Sequence, residues 1–375
     1  MDEAQPEEQA GFRKGYSTVD DIFSLKELMS KAHEYDFPLY LIFVDFKKAF
    51  DSVKINAVLA ALQTQGVANE LIASIRAIYE IDEAELRVND WRLAFNIEKG
   101  VRQGDTISPK LFTAAVEFAF RNLSWERRGI EIDGHRLTHL RFADDIVLIA
   151  HTLGGVQQMS REMNAEIRKI GLEVNFRKTY AMTNRAEKRI TIDGHEIAYK
   201  PEFVYLGHLV SMEMNERSEL RRRVQAGWSA FHQYSDYFKS RWVPKPAKEK
   251  LFNCCVLPAM TYGAEVWRTT QADRKYLAMA QRRMERATLG ISLRDRRTNE
   301  WVRAQTRFKD LNLEAAKKKW QWAEKLVGMS GDRWAKKLLE WQPRKWKRPL
   351  GRPKTRWRDE IEKNSRQAVD ADRSK

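Results

Sequence analysis

The sequence predicts an α+β fold followed by an all-helical region, and three observations carry that prediction. Short apolar runs bounded by turn residues alternate with helix-period segments up to residue 210. The run "LYLIFVDF" at 39–46 is apolar almost without interruption, as in a strand buried on both faces. After Asn215 the chain becomes helical, charged and dotted with tryptophan, which places a domain boundary there.

Each element has its own signal. Residues 11–35 begin as a Gly-punctuated loop, then place Ile22, Leu25, Leu28 and Met29 at helical spacing behind a Ser17 or Thr18 cap. Pro38 breaks the chain before the apolar strand, which Asp45 ends. "DSVKINAVLAAL" (51–62), with Asp51 or Ser52 as cap, and "NELIASIRAIYE" (69–80) read as helices. "ELRVND" and "WRLAFNIEKG" read as a hairpin turning at Asn89 and Asp90. A long helix is expected over 108–128, opened by Pro109. Short strands over 129–150 turn at Asp133-Gly134 and again at the acidic pair Asp144-Asp145. A helix over 154–171 ended by Gly171 and a strand over 172–183 complete the mixed region.

At 375 residues the chain is long enough for two or three domains. Its net charge of +15 makes a polyanion the first partner to consider. The charge is uneven: residues 301–375 hold 22 Lys+Arg against 10 Asp+Glu, so most of the excess lies in the last fifth. Seven of the twelve tryptophans fall there too, interleaved with the cations, whereas the first ten residues are acidic. Cys254 and Cys255 are too few for a disulfide framework and wrongly spaced for zinc; they read as core thiols in a reducing compartment. No apolar run reaches the roughly 20 residues that span a bilayer, and the acidic start is no secretory signal. A nuclear or cytoplasmic protein is the plain reading.

The pair Asp144-Asp145, set between "LRF" and "IVLIA", raises the question of function. A carboxylate inside an apolar strand must be paired, protonated or bound to a cation. Asp45 meets the same condition, and if the two strands lie side by side, three negative groups converge. Arg141 is the only neighbouring cation in sequence, so a divalent metal is the expected counterion, and all-oxygen ligation suits magnesium. Two such ions can activate a 3′ hydroxyl and neutralise a leaving pyrophosphate. An Asp-Asp at a strand turn is also an ordinary turn sequence.

The neighbouring segments decide between these readings. "FVDFKKAFDSV" (43–53), "GVRQGDTISPKLF" (100–112), "LRFADDIVLIA" (140–150), "GLEVNFRKT" (171–179) and "FVYLGHLV" (203–210) resemble, in order and spacing, the successive palm motifs of reverse transcriptases. The "FADD" tip, with "GFRKGYSTVDDI" upstream and "VLPAMTYGAEVW" downstream, is similar to polymerases of non-LTR (LINE-type) retrotransposons. The resemblance covers about residues 11–300. It implies a right-hand polymerase palm with partial fingers, followed by an all-helical thumb and a basic C-terminal region. The corresponding divisions are partial fingers at 1–36, palm with remaining fingers at 37–210, thumb at 211–300 and the Trp-rich C-terminal helical region at 301–375.

By that resemblance Asp45, Asp144 and Asp145 bind two Mg²⁺ ions (or Mn²⁺), Asp45 and Asp144 touching both, with the Phe46 carbonyl assisting. Phe50 lies beneath the incoming sugar and excludes a 2′ hydroxyl; read alone it is an ordinary core Phe. Gln103 and Gly104 line the nucleotide pocket, or form a tight turn. Lys178 matches the lysine proposed to protonate pyrophosphate, or is a solvated lysine at a strand end. Arg13 approaches the triphosphate. Leu206 and Gly207 tip a hairpin that grips the primer. Arg221, Arg222, Arg223, Arg282, Arg283 and Arg286 track phosphates, or lie on solvated helix faces. "WQPRKWKRPLGRPKTRWRDEIEK" (341–363), whose "GRPK" is similar to minor-groove hooks, binds nucleic acid or packs on the thumb through its tryptophans. The implied partners are an RNA template, a DNA primer and dNTPs, with no membrane. Against the family pattern, the first fingers segment, an endonuclease and a Cys/His knuckle are missing. A truncated, inactive remnant that binds nucleic acid is therefore the alternative to an active RNA-directed DNA polymerase.

Overall fold

The computed structural model describes residues 2–80, 83–89, 91–96, 99–351 and 354–362. Two compact units divide the chain: Met1–Glu202 together with Gly331–Pro349, and Phe203–Ser330 together with Leu350–Lys375.

In the first unit, α1 (Thr18–Glu34) opens at Ser17, whose backbone N–H and hydroxyl both donate to Asp20 Oδ2. β1 (Tyr40–Val44) follows, buried at every position as its continuous apolar run requires. The helix expected over 51–62 is split into α2 (Ala49–Ser52) and α3 (Ile55–Thr64), because Lys54 N–H turns aside to the Ile170 carbonyl at 2.8 Å. α4 (Asn69–Glu80) leads to the hairpin of β2 (Glu83–Val88) and β3 (Trp91–Asn96), which turns through Asn89 at φ 54°; Asp90 lies outside the described residues.

α5 (Ser108–Phe120) starts with Pro109 in its first turn but stops eight residues short of the expected end. The chain folds back there so that Trp125 buries its ring against Phe120 and donates to Glu162 Oε2 at 2.8 Å. The strands β4 (Ile130–Ile132), β5 (His135–Leu137), β6 (His139–Phe142) and β7 (Asp145–Ala150) come next. α6 (Leu153–Lys169), capped by Thr152, lies under β1 and β7. Of the strand expected over 172–183 only β8 (Tyr180–Thr183) forms; 175–179 is a turn. β9 (Thr191–Ile192), β10 (His195–Glu196) and β11 (Ala198–Tyr199) complete the unit's strands. The main sheet runs β11-β8-β1-β7-β6, antiparallel throughout except for β11 on β8. Tyr40, Ile42 and Val44 face a core built with α3, α5 and α6, including Val58, Phe112, Val116 and Met163.

The second unit begins with the hairpin of β12 (Glu202–Tyr205) and β13 (His208–Ser211), and so takes up residues that the resemblance assigns to the palm. Its helices are α7 (Glu216–Gln233), α8 (Ser235–Lys239), α9 (Lys245–Leu251), α10 (Leu257–Met260), α11 (Gln271–Leu289), α12 (Asn299–Thr306) and α13 (Leu311–Gly328). One π turn, Phe252–Val256, joins α9 to α10. That turn leaves Cys254 exposed and Cys255 half-buried, so neither is the core thiol expected; Phe252 and Val256 take the inward face instead. Leu220, Phe231, Phe238, Met260, Leu277, Met284 and Phe308 form the core. Gly227 lets α7 approach α10, since a Cβ there would lie 2.2 Å from Met260 Cγ.

α14 (Trp334–Glu340) returns to the first unit and packs on α1. Trp341 and Trp346 meet Phe37 with ring centroids 5.8 and 5.9 Å apart, and Arg333 bonds Asp20 at 3.0 Å. This part of the basic segment therefore packs on α1 rather than on the thumb. Trp357 is buried in the second unit, donating to the Glu265 carbonyl at 2.7 Å. Arg352 and Pro353 of "GRPK" fall outside the described residues.

Candidate active site

β1 and β7 bring the acidic residues together through backbone register. Val44 pairs with Ile146, so the next residue, Asp45, stands opposite Asp145. Such positions lie about 4.5–5.5 Å apart between Cα atoms. On the other side of β7, Phe142 pairs with Asp145 and leaves Ala143 and Asp144 as a two-residue turn. Ala143 holds φ 59°, a left-handed conformation that costs an L residue roughly 1–2 kcal/mol.

The electrostatics of the three are those of an uncompensated cluster. Burial, with the nearby charge of Asp45, raises the Asp144 carboxyl above the usual carboxylate range. Asp145 is pushed up to about 6 by desolvation first and then by the charges of Asp144 and Asp45. Arg141 does not neutralise them: buried to 1% exposure, it donates to Glu117 Oε2 at 2.6 Å and lies over the Phe120 ring. Among the described residues no Lys, Arg or His forms an ion pair with Asp45, Asp144 or Asp145.

The register converges the three residues, but the carboxylates are not closed around a point. Among the described residues no group of three or more His, Cys, Asp or Glu side chains is arranged to hold a metal ion. The donor chemistry still suits a hard divalent cation, because Mg²⁺ commonly takes one or two carboxylates and fills its remaining positions with water and substrate phosphate oxygens.

The turn at 175–179 is bonded to the peptide of Asp45 from both sides. Asn175 N–H donates to the Asp45 carbonyl at 2.7 Å, and Asp45 N–H donates to Thr179 Oγ1 at 3.3 Å. Lys178, exposed, rides on this turn rather than at a strand end, so the motif that carries it is fixed to the acidic strand. Phe46 buries its ring in the core, which leaves only its backbone to offer.

Phe50 is half-buried and stacked on Phe112 with centroids 4.4 Å apart, with Phe12 edge-on at 6.5 Å. Gln103 donates to Asp51 Oδ1 at 2.9 Å, tying its loop to α2. Gly100 makes that approach possible, since a Cβ there would lie 2.8 Å from the Asp51 carbonyl oxygen. Gly104, at φ 90°, faces open space. Arg13 is held within its own segment: it donates to the carbonyls of Pro6 at 2.6 Å and Gln9 at 2.9 Å and lies over Tyr16.

Sequence reasoning missed Asn175 and Thr179, whose work is done on the backbone of a residue more than 120 positions away. It also missed Gln9 and Gly11, which touch the 143–144 turn; the only sequence signal was a glycine in a polar segment.

In the second unit, the tip of the β12–β13 hairpin is held by its neighbours. Arg222 donates to the Gly207 carbonyl at 2.7 Å, Tyr262 OH to the Leu206 carbonyl at 2.6 Å, and Leu209 N–H to Glu219 Oε2 at 2.9 Å. The arginines divide by use. Arg223 pairs with Glu219 at 3.0 Å, Arg282 with Glu285 at 2.8 Å, and Arg286 bonds Asn299 at 2.9 Å, so these are internal supports. Arg221 and Arg283 are exposed.

An antiparallel sheet backed by helices, with acidic residues at the end of its central strand and in the adjoining hairpin turn, defines the palm of a nucleotidyl-transferring polymerase. Residues 1–210 match the family described as reverse transcriptase (RNA-dependent DNA polymerase). The chain belongs to that family, and its relatives include proteins of non-LTR retrotransposons. It is 32% identical over 244 residues to a transposon-derived protein of Caenorhabditis elegans, covering 62% of this chain and 87% of that protein. It is 32% identical over 176 residues to the Pol polyprotein of the type-1 retrotransposable element R2 of Nasonia vitripennis, covering 45% of this chain and 17% of the polyprotein. An RNA-directed DNA polymerase from transposon BS of Drosophila melanogaster is 22% identical over 82% of this chain, which spans 34% of that protein. Among solved structures, apo telomerase from Candida tropicalis is similar with a TM-score of 0.42 and 13% identity, over 85% of this chain and 50% of that one. Among the described residues no helix is long and apolar enough to cross a membrane.

Proposed function

We propose that this chain carries out RNA-templated DNA synthesis, adding deoxynucleotides to a primer 3′ hydroxyl as the polymerase of a non-LTR retrotransposon. The observation that carries the reading is the register of β1 on β7, which sets Asp45 opposite Asp145 and beside the Asp144 turn with no side-chain cation between them.

Asp45 and Asp144 are the residues that would hold divalent cations, Mg²⁺ or Mn²⁺, with Asp145 and the Phe46 carbonyl in support. When bound, two such ions would favour ionisation of the 3′ hydroxyl and neutralise the departing pyrophosphate. The protein's own share is positioning. Asn175 and Thr179 fix the Asp45 peptide, and the same turn presents the exposed Lys178 ammonium, which can give a proton to the leaving group. Phe50, braced on Phe112, is the steric wall against a ribose 2′ hydroxyl. Gln103 and Gly104 form the loop that lines the nucleotide, and Arg13, held by the carbonyls of Pro6 and Gln9, lies in the segment that would approach the triphosphate.

In this reading 1–36 act as partial fingers, 37–210 as palm with the remaining fingers, 211–300 as helical thumb and 301–375 as a basic, Trp-rich C-terminal helical region, within the cell where RNA template, primer and dNTPs are found. The test is primer extension on poly(rA)/oligo(dT) with Mg²⁺, comparing the chain with Asp144→Ala. Extension by the parent and none by the variant supports the reading. Equal extension removes Asp144 from the chemistry, and none from either protein favours a nucleic-acid-binding remnant.

A further inference from the structure

The acidic segment before α1 is a strap along the β6 edge of the sheet. Arg121 donates to the Ala4 carbonyl at 2.6 Å, and Lys110 pairs with Asp2. Arg141 N–H donates to the Glu8 carbonyl at 2.8 Å, and Ala10 N–H donates to the Arg141 carbonyl at 2.9 Å, a parallel bridge that extends the sheet beyond β6. The strap then reaches the acidic turn itself. Gln9, 2% exposed, accepts from Ala143 N–H at 3.3 Å through Oε1 and donates to the Gly11 carbonyl at 3.2 Å through Nε2. Gly11 lies directly against the turn: a Cβ there would come within 2.5 Å of Ala143 N and 2.9 Å of the Phe142 carbonyl carbon.

We infer that Gln9 and Gly11 are positioning residues of the nucleotidyl-transfer centre, holding Ala143 in its left-handed conformation and so fixing the turn that carries Asp144. The inference rests on the polymerase reading above. A two-residue turn with a non-glycine residue at φ 59° persists only where its surroundings over-determine it. Here the surroundings are specific: one buried amide side chain satisfies the Ala143 N–H, and one glycine leaves room for the strap to reach it. Asp145 is anchored by its pairing with Phe142, but Asp144 has no strand partner and depends on the turn for its direction. Without the strap, the Asp144 carboxylate would sample several directions and its affinity for a cation would fall.

The test compares full-length Gln9→Met, which keeps the side-chain volume but makes neither hydrogen bond, with Ile192→Val, a core truncation on the separate β9–β10 hairpin. Amide hydrogen exchange at Ala143 gives a readout independent of activity. Gln9→Met should speed it roughly tenfold or more while β1 amides stay protected. In primer extension the same variant should lower kcat about tenfold and raise the Mg²⁺ concentration needed for half-maximal rate, with template–primer affinity unchanged. Ile192→Val, at a comparable loss of melting temperature, should show neither effect. Unchanged Ala143 exchange in Gln9→Met overturns the inference, as does an activity loss that only tracks melting temperature. If Gln9→Met frees the Ala143 amide while the parent chain extends no primer, the strap stands and the polymerase reading fails.

Discussion

Arg141 gives its charge to Glu117, 2.6 Å away on α5, and not to the aspartates three and four residues further along its own hairpin. Both side chains are almost fully buried, and Glu117 is shared with Arg121 at 2.9 Å. Removing one partner of such a pair strands the other, at a cost of roughly 3–5 kcal/mol. Glu117→Ala should therefore lower the unfolding free energy measured by denaturant titration by about that amount. Glu117→Leu combined with Arg141→Met should recover most of it, because two apolar side chains leave no stranded charge.

Thr179 is fully buried and its hydroxyl accepts from the Asp45 amide, so its removal bears on one catalytic carboxylate through the backbone. Thr179→Val keeps the shape and loses the acceptor. The expected cost is about 1–3 kcal/mol of stability for the stranded amide. Primer-extension kinetics should show a fall in kcat larger than the change in KM for dNTP; a change in KM alone would point to a role in nucleotide binding instead.

Phe50 presents a ring held from behind by Phe112. Phe50→Val should narrow the preference for dTTP over UTP on a poly(rA) template by roughly tenfold or more, since the 2′ hydroxyl would meet open space. Competitive incorporation assays give the ratio directly. An unchanged ratio would make Phe50 a core residue only.

Glu285, inaccessible in α11 between Arg282 and Gln281, has its carboxyl raised to about 7, chiefly by desolvation. A carboxyl whose folded pKa lies above its unfolded value near 4.5 favours the fold fully below that lower value and loses the contribution as pH rises through 7. Glu285→Gln removes this dependence. Relative to the Gln variant, the parent should lose melting temperature between about pH 4.5 and about pH 8. A constant difference across that window would show that Glu285 is ionised in the fold throughout.

Much of the palm was legible because its signals are local. A short continuous apolar run bounded by turn residues is the pattern of a strand buried on both faces, and two acidic residues between apolar halves fit a turn between strands. The strands β1, β6 and β7 and the ends that carry Asp45, Asp144 and Asp145 follow from those patterns, while their convergence depends on the pairing of β1 with β7. What escaped depends on distant partners. The end of α5 is set by Trp125 reaching Glu162, and the short β8 by the turn that Asn175 and Thr179 bond to Asp45. The acidic start carries no local sign of what it binds, because its partners, Arg121 and Arg141, lie more than a hundred residues on. The basic, Trp-rich end read equally as a nucleic-acid surface or as a segment packed through its tryptophans; Trp334, Trp341 and Trp357 are buried, and Arg333 and Lys345 pair with Asp20 and Glu131. Composition records charge, and cannot record which charges are already spent on the fold.

The most direct measurement is the rate of dTTP incorporation on poly(rA)/oligo(dT) for Asp45→Asn, Asp144→Asn and the double variant, across a Mg²⁺ titration. If the two aspartates serve one metal centre, each single change lowers the rate by roughly 10³-fold or more, and the double change lowers it no further. Single variants that keep most of the activity, or losses that multiply in the double variant, would contradict a shared centre at the ends of β1 and the β6–β7 turn.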